Sequence, residues 1–290
     1  MTALLSAARA VHFLSLMLIF GGSAYMLLLR RRDNAEPSIK PVHRLFVAAA
    51  PLALVSGIVW FCVIAGEMSG DWKGSFDPAT LELAGSATRF GRIFLVRLIG
   101  MTALCVMCLA ARKAASWPVA ILAALLLVSL APVSHAAANG GAIPIFRAAN
   151  DGMHLLAAGF WLGGLVILAL LIGRYWSEAS ALIGPLRIFS GWGAAVVALL
   201  VLTGVINALT ILPLAAMTIR NRYFDLLLLK IALAAAMIGL ASLNRWRFAP
   251  ALPDGGERGV RHLARSVGLE LFLGVSIVAV VGYLGTMAPH

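Results

Sequence analysis

Three histidines set inside long apolar runs are the residues of this chain whose type and spacing could do chemistry. The stretch from Asp151 to Leu165 opens one such run and places His154 about two helical turns from Trp161, on the same helical face. His12 lies in the first apolar run, and His135 near the end of the fourth. An ionisable side chain inside a membrane span is costly and marks a functional site by default. Imidazole nitrogen ligates copper, zinc, nickel or iron, and thioether sulfur is suited to copper, especially Cu(I). Met17, Met68, Met153 and Met287 sit on or near the same half of the spans as the three histidines. The chemistry to expect is therefore metal binding by His12, His135 and His154, with Met153, Asn207 and Glu270 as accessory residues. Two other readings stay open. Each histidine can simply hydrogen-bond across helices. Histidines on separate spans can also hold haem b, as in a membrane cytochrome or a cupric reductase.

The elements that must position these residues follow from hydropathy. The chain has 290 residues, 61% of them hydrophobic, arranged in repeated runs of about 20 apolar residues. This predicts an all-α polytopic membrane protein, a single integral membrane domain over 1–290. The expected spans are about 7–29, 44–66, 92–111, 117–137, 148–173, 189–212, 224–243 and 266–287. A β-barrel would alternate polar and apolar residues, and these runs do not. His12 then lies about five residues into its span, roughly 8 Å at the helical rise, and His154 about six residues into its own. Span four runs the opposite way, so His135 arrives at the same depth from its C-terminal end. Depth is legible here; lateral convergence is not.

Charge sets orientation. The net charge is +11. The loops around 30–44, 112–113, 174–187 and 245–265 hold more lysine and arginine than the opposite loops, so they are expected to be cytoplasmic and both termini periplasmic. Such residues touch lipid headgroups, which makes membrane lipid the partner and nucleic acid none. The 67–91 loop is long enough for a short interfacial helix. Pro250, Pro253, Gly255 and Gly256 make 244–265 read as a flexible connector. Cys62, Cys105 and Cys108 all lie in apolar runs, where packing rather than disulfide formation is expected.

Several further polar residues enter the spans. Arg97, Asp225, Lys230 and Glu270 imply internal ion pairs or snorkelling side chains. Asn207 is placed to line the same outer region as the histidines. Gly159 and Gly163, followed by Gly164, give span five a smooth face for close helix packing. No phosphate-binding loop, dinucleotide-binding glycine pattern or nucleophile elbow occurs, so the chain reads as a non-enzyme.

The stretch from Asp151 through His154 and Trp161 to Leu165 resembles the signature of the copper resistance protein D family. Thr203 to Asn207, Tyr223 to Lys230 with Leu243 to Arg245, Arg265 to Glu270 and Leu284 to Pro289 are similar to that family's later spans. Tyr223-Phe224 departs from the Tyr-Gly of the family pattern. The resemblance covers roughly the whole chain and is strongest from about residue 130 onward. It implies a bacterial inner-membrane protein that moves copper between periplasm and cytoplasm, often beside a small periplasmic copper-binding protein. By motif His154 carries over, and His135 in Ser134-His135-Ala136 follows it; His12 rests on the depth argument.

Overall fold

The computed structural model describes residues 1–33, 40–110, 115–131, 142–211 and 222–287, and among these residues every regular element is helical. The long helices are α1 (Thr2–Asp33), α2 (Lys40–Ser69), α4 (Arg89–Ala110), α6 (Ala142–Arg174), α7 (Ala179–Ile211), α8 (Arg222–Leu243) and α9 (Leu252–Leu284). All seven are long and apolar enough to cross a membrane. Two shorter helices, α3 (Pro78–Ala87) and α5 (Trp117–Val128), complete the set.

Eight spans were expected, and seven are present as long apolar helices. The fourth begins as α5, whose 12 residues cover the first half of the expected 117–137 span. Ser129 ends it, and 132–141, including His135, lie outside the described residues. The other helices all begin before the expected starts, because helical hydrogen bonding extends through polar flanks that hydropathy leaves out. The expected connector at 244–265 is corrected in the same sense. Residues Asn244–Phe248 form a π-helical turn and α9 begins at Leu252. A short turn at 249–251 lies between them, and α9 itself is kinked at Gly256, whose φ of 49° lies in the left-handed region that glycine tolerates.

α1 is the central helix. It packs against α2, α5, α6 and α9. Its closest seam is with α6, where Gly21 lies against the backbone of Gly159 and Gly163. Lipid offers little hydrophobic reason for two helices to associate, so contact of this closeness rests on small residues and dispersion. The end of α9 returns beside the start of α1: Gly282 faces the Ser6 carbonyl, and Gly285 faces Arg9. The first and last helices therefore meet at one end of the bundle, here termed the termini end. The arginines Arg245 and Arg247 lie at the other, the basic end.

α7 and α8 are the least enclosed spans. Only 6% of each span's most apolar window is buried, against 61% for α6. Both lean on α9, α7 also leans on α6, and they scarcely touch each other. A groove floored by α6 and α9 thus runs between them.

The 67–91 loop does hold a short helix, α3. Asp77 caps it, accepting from the Thr80 hydroxyl at 2.6 Å and the Thr80 N–H at 2.9 Å, with Pro78 in its first turn. The Thr80 hydroxyl first, then its N–H, holds the Asp77 carboxyl below its ordinary value of 3.8. A depressed carboxyl stabilises the fold above its unfolded value, and that stability is lost as pH falls through the folded value. Protection of the α3 amides, taken relative to the intrinsic exchange rate at each pH, is therefore expected to hold at neutral pH and to fall as the Asp77 carboxyl becomes protonated. In an Asp77→Asn variant that acid-induced change is expected to disappear.

Candidate metal site between α6, α7 and α8

His154 projects from α6 toward α7. Its Nδ1 lies 2.8 Å from the Thr203 hydroxyl, which itself donates to the Leu199 carbonyl at 2.6 Å. That hydroxyl has one hydrogen and has spent it, so Nδ1 is the donor. In the neutral ring Nε2 then carries the lone pair, and no hydrogen bond engages it among the described residues. A ring fixed through one nitrogen with the other left open is how imidazole is oriented toward a metal. Gly204 keeps this wall of the groove low, since a Cβ there would lie 3.6 Å from His154 Cε1.

Polar groups surround the ring. Asn150, one turn before His154, donates through Nδ2 to the Thr203 carbonyl at 3.0 Å and to Asn207 Oδ1 at 2.6 Å. Asn150 is buried, and its own Oδ1 has no hydrogen-bond partner. Lys230 of α8 is near enough to act electrostatically on His154, and Asp151 acts in turn on Lys230. The lysine charge, which opposes a metal cation, is thus partly offset within the cluster. Four polar residues at matched i and i+4 positions on two helices, Asn150 with His154 and Thr203 with Asn207, build the core of the site.

The structure brings Asn207 into one network with His154 through Asn150 and Thr203. Met153 is 44% exposed and sits about 100° around α6 from His154, so its sulfur lies on the bundle surface. Glu270 is held elsewhere, bonded to Asn244 toward the basic end. His135 falls outside the described residues. Asn150 and Thr203 were not singled out from the sequence. The signal for them was their spacing of four from His154 and Asn207.

His12 has a different setting. It is fully buried, and Arg97 lies 2.6 Å from its Nε2. Guanidinium is only a donor, so Nε2 accepts and Nδ1 donates to the Ala53 carbonyl at 2.9 Å. Both ring nitrogens are engaged, and a metal reaches His12 only if Arg97 withdraws. Arg97 also donates to the Leu126 carbonyl and the Ser129 hydroxyl, joining α1, α4 and α5. The ion pair or snorkelling expected of Arg97 is corrected here. It is 2% exposed and is bonded to neutral acceptors, stacked beside Phe94. Arg9 lies over Trp60, 4.5 Å from the ring centre, and Trp60 meets His12 edge-on. Among the described residues, no three or more His, Cys, Asp or Glu side chains cluster closely enough to hold a metal by themselves. The three cysteines are free.

Comparison with known proteins adds a chemical context to this geometry. Residues 1–145 match the family described as copper resistance protein D-like, N-terminal domain, and residues 184–284 match copper resistance protein D. The chain is 31% identical to copper resistance protein D of Pseudomonas syringae pv. tomato, over 98% of this chain and 96% of that protein. It is 30% identical to inner membrane protein YebZ of Escherichia coli, over 98% of this chain and 97% of the relative. It is 25% identical to copper transport protein CutJ of Bacillus subtilis, over 82% of this chain and 46% of that longer protein. No solved structure matches.

Proposed function

The chain belongs to the copper resistance protein D family, and on that premise we propose that it binds copper at His154 and moves it between periplasm and cytoplasm. It does so as a multi-pass protein of the bacterial inner membrane, with both termini periplasmic by the lysine and arginine bias. The observation that carries the reading is the open Nε2 of His154, on a ring braced by Thr203, in a polar cluster inside the membrane. The names of two relatives, one for copper resistance and one for copper transport, support the choice of metal.

Copper here is cargo. His154 supplies a nitrogen ligand, Asn207 and Asn150 supply amide oxygens nearby, and His135 is the second imidazole. His12 joins them only in a conformation that releases Arg97. Lys230 keeps the cluster from holding a cation too tightly, which favours release. A periplasmic copper-binding protein is the partner that loads the site, and the chain is a carrier, not an enzyme. The groove between α7 and α8 gives the bundle room for alternative packings, and bound copper biases the balance between them. Haem has no specific support among the described residues, where His12 and His154 turn to different helices.

Uptake by proteoliposomes tests this. Vesicles containing the purified full-length protein are expected to accumulate copper faster than protein-free vesicles, and the excess is expected to vanish with His154→Ala. Equal rates with and without protein would overturn transport.

A further inference from the structure

A second polar site lies toward the basic end of the same groove. An open-sided cavity of about 420 Å³ is lined by α6, α7, α8 and α9. Most of its wall is apolar, including Leu165, Phe189 and Val267, and it reaches the exposed Trp246 beside the α8–α9 turn. Glu270 faces it from α9 and is 1% exposed.

Among the described residues, the surroundings of Glu270 hold no counter-ion. From α8 and its π-turn, Asn244 donates through Nδ2 to Glu270 Oε1. Arg245, the cation lining the same cavity, directs its guanidinium to Ser190 of α7 instead. From α6 comes the buried indole of Trp161, near the carboxyl but with Nε1 outside hydrogen-bonding geometry. One turn earlier on α9 is Ser266, whose buried hydroxyl has no partner. No charged group bonds to Glu270 from any of these helices. An uncompensated carboxylate in the membrane interior is costly.

Asn244 supplies the second observation. Its Oδ1 is buried and accepts no hydrogen bond. An amide facing a carboxylate can satisfy only its N–H side, because both carboxylate oxygens are acceptors. Facing a carboxylic acid, the same amide is satisfied on both sides: Nδ2–H donates to Oε1, and the acid O–H donates to Oδ1. This holds whichever way the amide is turned. The unfilled acceptor on Asn244 therefore marks where a proton on Glu270 would go.

We propose that Glu270 is a proton-exchange site served by this cavity from the basic end of the bundle. On uptake, a hydronium ion reaching the cavity transfers one proton to Oε2 and becomes water, and the new O–H bonds to Asn244 Oδ1. On release the proton goes back to water, and the carboxylate stays bonded to Asn244 Nδ2. The cavity has room for several waters, at ~30 Å³ each. The exchange involves the α8–α9 turn and the cavity beside it, and holds whether or not the chain carries copper. It places a switchable charge on α9, against the turn that follows α8, the helix that carries Lys230 beside His154.

Infrared difference spectra of the purified full-length protein in lipid nanodiscs, recorded between acidic and alkaline pH, test the proposal without metal. The wild type is expected to show a protonated-carboxyl band that disappears at alkaline pH. Glu270→Gln, which keeps an amide-to-amide pair with Asn244, is expected to lose that band. Asn244→Leu is expected to keep the band but shift it toward that of an unbonded acid. An identical titrating band in wild type and Glu270→Gln, or none in the wild type, would overturn the proposal.

Discussion

Replacing His154 with alanine is expected to remove copper binding and the copper accumulation that depends on this chain. The argument is local. Of His12 and His154, it is His154 that keeps an imidazole lone pair open, at Nε2, since both nitrogens of His12 are bonded. Amide oxygens from Asn150 and Asn207 bind copper weakly without a nitrogen donor. Thr203→Val separates a ligand role from a merely structural one. It removes the acceptor for Nδ1–H while keeping shape, and loss of such an orienting partner typically lowers metal affinity roughly 10- to 100-fold. Isothermal titration with copper is expected to rank wild type above Thr203→Val and Thr203→Val above His154→Ala. The chain should remain folded in both variants, because neither touches the α1–α6 seam.

That seam gives the second large effect. A Cβ on Gly21 would lie 1.9 Å from the Gly159 carbonyl oxygen and 3.0 Å from Gly163 Cα. These are backbone atoms, so no side chain can swing aside. Gly163 is equally confined, its Cβ position being 2.5 Å from the Met17 carbonyl oxygen. Gly21→Val must therefore push α1 and α6 apart along the central contact of the bundle. The expected cost is roughly 3 kcal/mol, the upper end for overpacking. Thermal unfolding in detergent should show a clear drop in midpoint, with much less folded protein recovered. Gly173→Ala is the comparison, since nothing lies within 4 Å of a Cβ there, and it is expected to be close to neutral.

Which polar residues sit inside apolar helices was legible in the sequence, and neighbourhood was not. His154, Asn207 and Glu270 stood out because polar atoms inside apolar runs are costly. Their partners did not stand out for physical reasons. Thr203 bonds to its own helix through Leu199, so it reads as a neutral helical residue until α6 is laid beside it. Arg97 looked like a candidate for an ion pair because its acceptors, the Leu126 carbonyl and Ser129, sit on a helix that hydropathy marks only as apolar. Lateral pairing is set by which backbones can touch, and the glycines of α6 announced half of that seam; Gly21 supplied the other half. The connector at 244–265 misled because prolines and glycines signal a break without saying how short it is. Here the break is a short turn at 249–251 followed by a kink at Gly256.

Metal analysis of the purified full-length protein is the most direct test of the central claim. After loading with copper and removal of excess, wild type is expected to retain copper in stoichiometric amount and to show no Soret band, whereas His154→Ala retains none. Undiminished copper in His154→Ala, or a Soret band in the protein as isolated from cells, would contradict a copper site built on His154.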